Sequence, residues 1–155
     1  MASFTQSVHL PVAPQAVYPF VTNAAQWHTW HPATHSVRDV PDRPLALGET
    51  VVEEIRAGFR HFDATWKVVE HVPPLRWSIA TQTPLGRSTV SYELTAEEGG
   101  TRFQRTCEFA SQGAWRLLDG NVAKWMLARQ AATALENLRK CLAPATALPS
   151  RPGDE

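Results

Sequence analysis

Residues 115–142 read WRLLDGNVAKWMLARQAATALENLRKCL. Within them Trp115, Leu118, Val122, Trp125, Ala128, Ala132, Leu135, Leu138 and Leu142 follow one another at steps of three and four. That spacing lines side chains up on one face of an α-helix. The stripe predicts a helix of 28 residues, about 42 Å long by the rise of an α-helix and far above the usual helix length. Asp119-Gly120 is its weak point: the pair either kinks the helix, or Asp119 caps a helix that starts there. A single apolar stripe of this length needs a broad apolar partner, and the chain upstream has to supply it.

Upstream the period is two. Thr101–Phe109 sets Phe103, Arg105, Cys107 and Phe109 on one face, behind the hairpin signal Glu98-Gly99-Gly100. Thr89–Thr95 aligns Val90, Tyr92 and Leu94; Arg76–Thr83 aligns Trp77, Ile79 and Thr81; Phe59–Val72 aligns Phe62, Ala64, Trp66 and Val68. Pro84–Gly86, Pro73-Pro74 and Ala57-Gly58 separate these runs. Glu49–Arg56 and Thr34–Val40 are further strands, joined by the loop Pro41–Gly48. The segment Ser3–Leu10 alternates as well, although Gln6 interrupts its apolar face. Between that first strand and the rest lie two short helices. One is entered at Pro14, which suits the first helical turn, and carries Val17, Phe20 and Val21. The other, Ala24–Trp30, is stopped at His31-Pro32, because the residue before a proline is pushed out of the α region. Strand, two short helices, a meander of strands and a long helix make an α+β layout in which a curved antiparallel sheet wraps one helix.

The 155 residues suit one domain, read as 1–142 with a Pro-rich mobile tail at 143–155. Fifteen Lys+Arg balance fifteen Asp+Glu, so the basic footprint of a nucleic-acid binder is missing, as is a polybasic membrane anchor. The chain starts MASFTQSVHL and contains no apolar run of spanning length. These features lead us to expect a cytoplasmic protein without stable membrane insertion, a monomer or weak homodimer. Cys107 and Cys141 read as buried thiols.

Several stretches resemble the SRPBCC superfamily of START, Bet v 1-like and polyketide cyclase/dehydrase domains. They are VAPQAVYPFVT at 12–22, WHTWHP at 27–32, VEHVPPLRW at 69–77 and GGTRF at 99–103. The resemblance runs from about residue 3 to residue 142. It implies a helix-grip fold, a seven-stranded antiparallel sheet around the C-terminal helix with an apolar cavity between them. A bent sheet and a straight helix cannot close everywhere, which independently argues for a concave ligand site.

Candidate site residues follow from strand phase. Arg105 shares the phase of Phe103 and Cys107. An inward Arg needs a partner: a ligand carboxylate, phosphate or enolate, an ion pair to Glu53, or an exit at the sheet edge. Glu53, in phase with Val51 and Ile55, is the carboxylate expected to face in, leaving Glu54 outside, an assignment that a one-residue bulge would reverse. Tyr92 offers a phenol, while Trp66, Trp77 and Phe103 are core or cavity wall. Trp125 and Met126 are helix core that doubles as lining. The cluster His28, His31 and His35 lacks acidic or thiol companions, so no metal is expected; the three read as surface or helix-end histidines, the alternative being that His31 borders a cavity mouth. His61 and Asp63 face solvent. No G-x-S-x-G, H-E-x-x-H, P-loop or G-x-G-x-x-G occurs, so no cofactor is expected either.

The resulting expectation is a carrier or binder of a hydrophobic or aromatic small molecule, lipid or polyketide-like. The first alternative is a polyketide cyclase/dehydratase-like enzyme, with Arg105 and Tyr92 as donors and Glu53 as proton acceptor. The second is a co-chaperone-like interaction module presenting Trp27 and Trp30.

Overall fold

The computed structural model describes residues 2–57, 60–83, 86–111 and 121–143, excluding the side chains at 2, 57, 60, 111, 121–124, 126 and 127. Strand β1 (Ala2–Leu10) leads into helix α1 (Pro14–Val21), a 3-10 turn (Ala24–Gln26) and the single-turn helix α2 (Trp27–Trp30). Six strands follow, β2 (Thr34–Arg38), β3 (Thr50–Ala57), β4 (Arg60–Val72), β5 (Arg76–Thr83), β6 (Gly86–Glu97) and β7 (Gly100–Ser111), and then helix α3 (Asn121–Leu142). The strands form one antiparallel sheet in the order β1-β7-β6-β5-β4-β3-β2. The first strand thus lies beside the last, and α3 returns over β1 and α2. This is the helix-grip architecture.

Strand phase holds along the sheet. On β1, Ser3, Thr5, Ser7 and His9 are exposed, whereas Phe4, Gln6 and Val8 are half-buried and Leu10 is buried. Ala64, Trp66 and Val68 of β4, Trp77, Ile79 and Thr81 of β5, and Val90, Tyr92 and Leu94 of β6 are all buried. The core is an aromatic chain running from sheet to helices. Trp77 stacks on Tyr92 at 5.2 Å, Tyr92 leans on Phe103 at 5.0 Å and on Trp30 at 6.3 Å, and Trp27 meets the edge of Trp77 at 6.1 Å.

The structure corrects several expectations. β6 and β7 extend past 89–95 and 101–109, because the ladder continues where the apolar alternation has already faded into Arg87, Ser88 and Glu97. β2 stops at Arg38 rather than Val40, since Asp39 turns into the left-handed region with φ 55°. The loop 41–48 is not merely a connection. Leu45 within it is fully buried, its N–H donating to the Thr22 carbonyl at 3.1 Å and its carbonyl accepting from Trp77 Nε1 at 3.2 Å.

On α3 the buried face runs through Ala131, Ala134, Leu135 and Leu138, flanked by half-buried Ala128 and Leu142. Ala132 and Trp125 fall off that face and are exposed. In the run Ala131-Ala132-Thr133-Ala134 a line of three- and four-residue steps can pass through either neighbouring alanine, and the fold buries Ala131 rather than Ala132. Trp125, expected as core and lining, is instead 60% exposed, with the Arg129 guanidinium 5.4 Å from its ring. The Met126 side chain, the upstream part of the stripe, Asp119-Gly120 and the tail after 143 lie outside the described residues. Cys141 is exposed rather than buried, and Cys107 is half-buried.

Candidate functional site

Residues brought together by the fold sit in one cross-strand row. Arg105 of β7 is paired with Gln6 on β1 and with Tyr92 on β6, and Tyr92 in turn with Trp77 on β5. All four belong to the sheet face that α3 covers. Helix α2 closes the same corner, and its last turn is fixed by Asn137 of α3, whose Nδ2 donates to the Trp30 carbonyl at 3.2 Å.

Arg105 is buried, and its Nη2 donates to His31 Nε2 at 2.9 Å. A guanidinium has no acceptor and does not deprotonate. His31 Nε2 must therefore accept, and the ring proton resides on Nδ1. Burial, and secondarily the Arg105 charge, hold His31 neutral by lowering its pKa to about 3. As a residue His31 is only half-buried, yet its Nδ1 is enclosed and has no partner. Burial likewise pushes the Tyr92 phenol upward, against the Arg105 charge and hydrogen bond, which act the other way. Tyr92 is neutral under any ordinary condition.

Glu53 does face inward, as its phase predicts, but it is not Arg105's partner. Its Oε1 accepts from the Thr34 hydroxyl and its Oε2 from Trp66 Nε1 at 2.7 Å. Burial raises its pKa, and these two bonds and the more distant Arg105 charge oppose the rise. Glu54 lies outside, with Ser36 Oγ and His61 beside it. Trp77 and Phe103 are fully buried in the aromatic chain. The three histidines part company: His28 is exposed, His35 meets His61 ring to ring at 5.8 Å, and His31 turns in. Among the described residues no three His, Cys, Asp or Glu side chains converge as metal ligands.

Four buried side-chain polar atoms among the described residues have no hydrogen-bond partner: Gln6 Oε1, Trp30 Nε1, His31 Nδ1 and Arg105 Nε. Each such orphan costs about 1–3 kcal/mol, and native structures carry few. All four belong to the corner where α2, α3, β1 and β7 meet. Trp30 is the telling case. Trp27, Trp66 and Trp77 each place their indole N–H on an acceptor, the Val21 carbonyl, Glu53 and the Leu45 carbonyl respectively. Trp30, which is 1% exposed, does not.

Trp30 and Gln6 are site residues that the sequence alone does not single out. Gln6 carries one signal, a polar residue in an inward phase. Its amide is fixed by Nε2 donating to the Ala128 carbonyl of α3 at 3.0 Å. The expectation of an exposed patch formed by Trp27 and Trp30 is corrected, since both are buried, at 4% and 1%.

Comparison with known proteins places this geometry. The family described as polyketide cyclase / dehydrase and lipid transport matches residues 1–143. No curated protein matches the chain. Among solved structures, a START superfamily protein from Mycobacterium smegmatis superposes with TM-score 0.74 at 9% identity, covering 90% of this chain and 96% of its own. The di-domain ARO/CYC BexL from the BE-7585A biosynthetic pathway gives TM-score 0.72 at 21% identity, covering 92% of this chain and 50% of that one. Ara h 8.0201 gives 0.67 at 11% identity, covering 91% and 97%. At these identities the structural matches speak for the fold, and the family match speaks for descent. The chain belongs to the polyketide cyclase / dehydrase and lipid transport family.

Proposed function

We propose that this domain binds a hydrophobic or aromatic small molecule between α3 and the sheet, as a carrier or binding protein. The observation that supports it is the set of four partnerless polar atoms in an otherwise apolar and aromatic setting. A few unsatisfied polar groups in an apolar surround are what a small-molecule site presents.

Binding is preferred to catalysis because, among the described residues, the site has donors and no free base. Glu53 is engaged on both oxygens by side chains behind it. The His31 Nε2 lone pair is taken by Arg105. Tyr92 is held protonated by burial. Orientation and one donor remain, and a cyclase needs a proton acceptor besides.

Mass spectrometry of the purified protein under native and denaturing conditions, with an organic extract of the same sample, tests the reading. A bound mass lost on denaturation is the expected result. A clean apo mass, together with no binding of the fluorescent probe 1-anilinonaphthalene-8-sulfonate to the native protein, overturns it.

A further inference from the structure

We infer that the ligand enters head first, with a carboxylate-type oxyanion seated against the unpartnered Arg105 Nε, in the corner that Trp30 Nε1 also borders. This rests on the proposed small-molecule site and specifies the chemistry of its polar end. The case is a count of donors and acceptors. Arg105 Nε and Trp30 Nε1 can only donate, and the Arg105–His31 bond forces the His31 proton onto Nδ1. Three of the four orphans are therefore donors, and Gln6 Oε1 is the one acceptor, because its Nε2 is already committed to Ala128. A group whose oxygens outnumber its hydrogens matches that set.

Charge sharpens the choice. Arg105 is 8% exposed and its neighbours are a neutral histidine, a phenol and an amide. The buried carboxylate closest to hand, Glu53, is held by Thr34 and Trp66. A buried cation without an anionic contact favours an incoming anion. An ammonium would meet like charge and leave all three donors unmatched. An alcohol would accept two bonds without countering the charge. Trp30 and Tyr92, packed against each other at 6.3 Å, give the corner an aromatic wall.

Calorimetric titration of the full chain with three probes of one shape tests this: 2-naphthoate, 2-naphthalenemethanol and 2-naphthalenemethylamine. The expected result is that naphthoate binds about tenfold or more tightly than the alcohol, the usual margin of a charge-assisted bond, with the amine weakest. Arg105→Gln should narrow the acid-to-alcohol ratio to within about twofold. Trp30→Phe, which keeps the ring and deletes the N–H, should narrow it severalfold. The wild-type ratio stands on its own should Arg105→Gln fail to fold. Equal affinity for acid and alcohol, or a ratio untouched by both substitutions, overturns the oxyanion assignment and leaves the apolar site standing. No binding of any of the three overturns this inference; the small-molecule reading falls with it only where the native mass is also clean and 1-anilinonaphthalene-8-sulfonate does not bind.

Discussion

His31 is defined by what touches it. An imidazole on a helix end titrates near 6.5, but this one accepts from Arg105 inside the fold and is lowered to about 3. The unfolded chain therefore takes up its proton first. Stability contributed by neutral His31 is fully present above about pH 6.5 and is lost as the pH falls toward 3, by about 1.4 kcal/mol per pH unit at most. Glu53 works in the opposite sense. Its folded pKa lies above the ordinary carboxylate value, so its share is present at acid pH and lost as the pH rises through that folded value. His31→Gln keeps an acceptor for Arg105 and removes the titration. In urea unfolding between pH 6.5 and 4.5, the wild type should lose stability faster than this variant by close to one proton's worth of slope. Identical slopes would mean that His31 titrates normally in the fold.

The β6–β7 hairpin shows how a local signal becomes a structural demand. Glu98-Gly99-Gly100 is legible as a turn, and the reason for the second glycine is tertiary. A Cβ on Gly100 would lie 1.9 Å from the Leu10 carbonyl oxygen, at φ +154°. β1 ends against this turn, so the clash is with backbone and cannot be relieved by a rotamer change. Gly48 has φ +83°, and a methyl added there would meet nothing within 4 Å, so only the left-handed backbone resists substitution. Gly100→Ala should cost about 3 kcal/mol or more, and Gly48→Ala about 1 kcal/mol, read from urea midpoints at equal m-value. Comparable costs would show that β1 gives way at the turn. The same distinction between local and tertiary causes marks what the sequence reveals. Strand faces obey a period of two wherever apolar residues mark them, so all seven strands are legible, and their ends blur where Ser, Thr and Arg continue the ladder. Leu45 carries no periodic signal at all; it is core because Thr22 and Trp77 hold its backbone.

Over the whole molecule the site depends on contacts that no single stretch encodes. Arg105, Tyr92 and Glu53 can be placed inward one strand at a time. That His31 answers Arg105, that Glu53 answers Trp66 and Thr34, and that Trp30 is left with a bare N–H all depend on how α2 seats between α3 and the closing strands β1 and β7. The corner therefore exists only in the folded chain, and a ligand held there binds the native state alone. Linkage then fixes the size of the effect: at a hundredfold excess over its Kd, a ligand adds about 2.7 kcal/mol to native stability. For a chain of this size that corresponds to a rise in Tm of about 5 to 11 °C. Thermal unfolding with 2-naphthoate at that excess should show such a shift, growing with the logarithm of concentration, and 2-naphthalenemethanol at the same concentration should give a smaller one. A probe that binds in calorimetry yet leaves Tm unmoved would be binding the unfolded chain equally well. Its contacts would then lie away from the α2–α3–β1–β7 corner, since that corner does not survive unfolding.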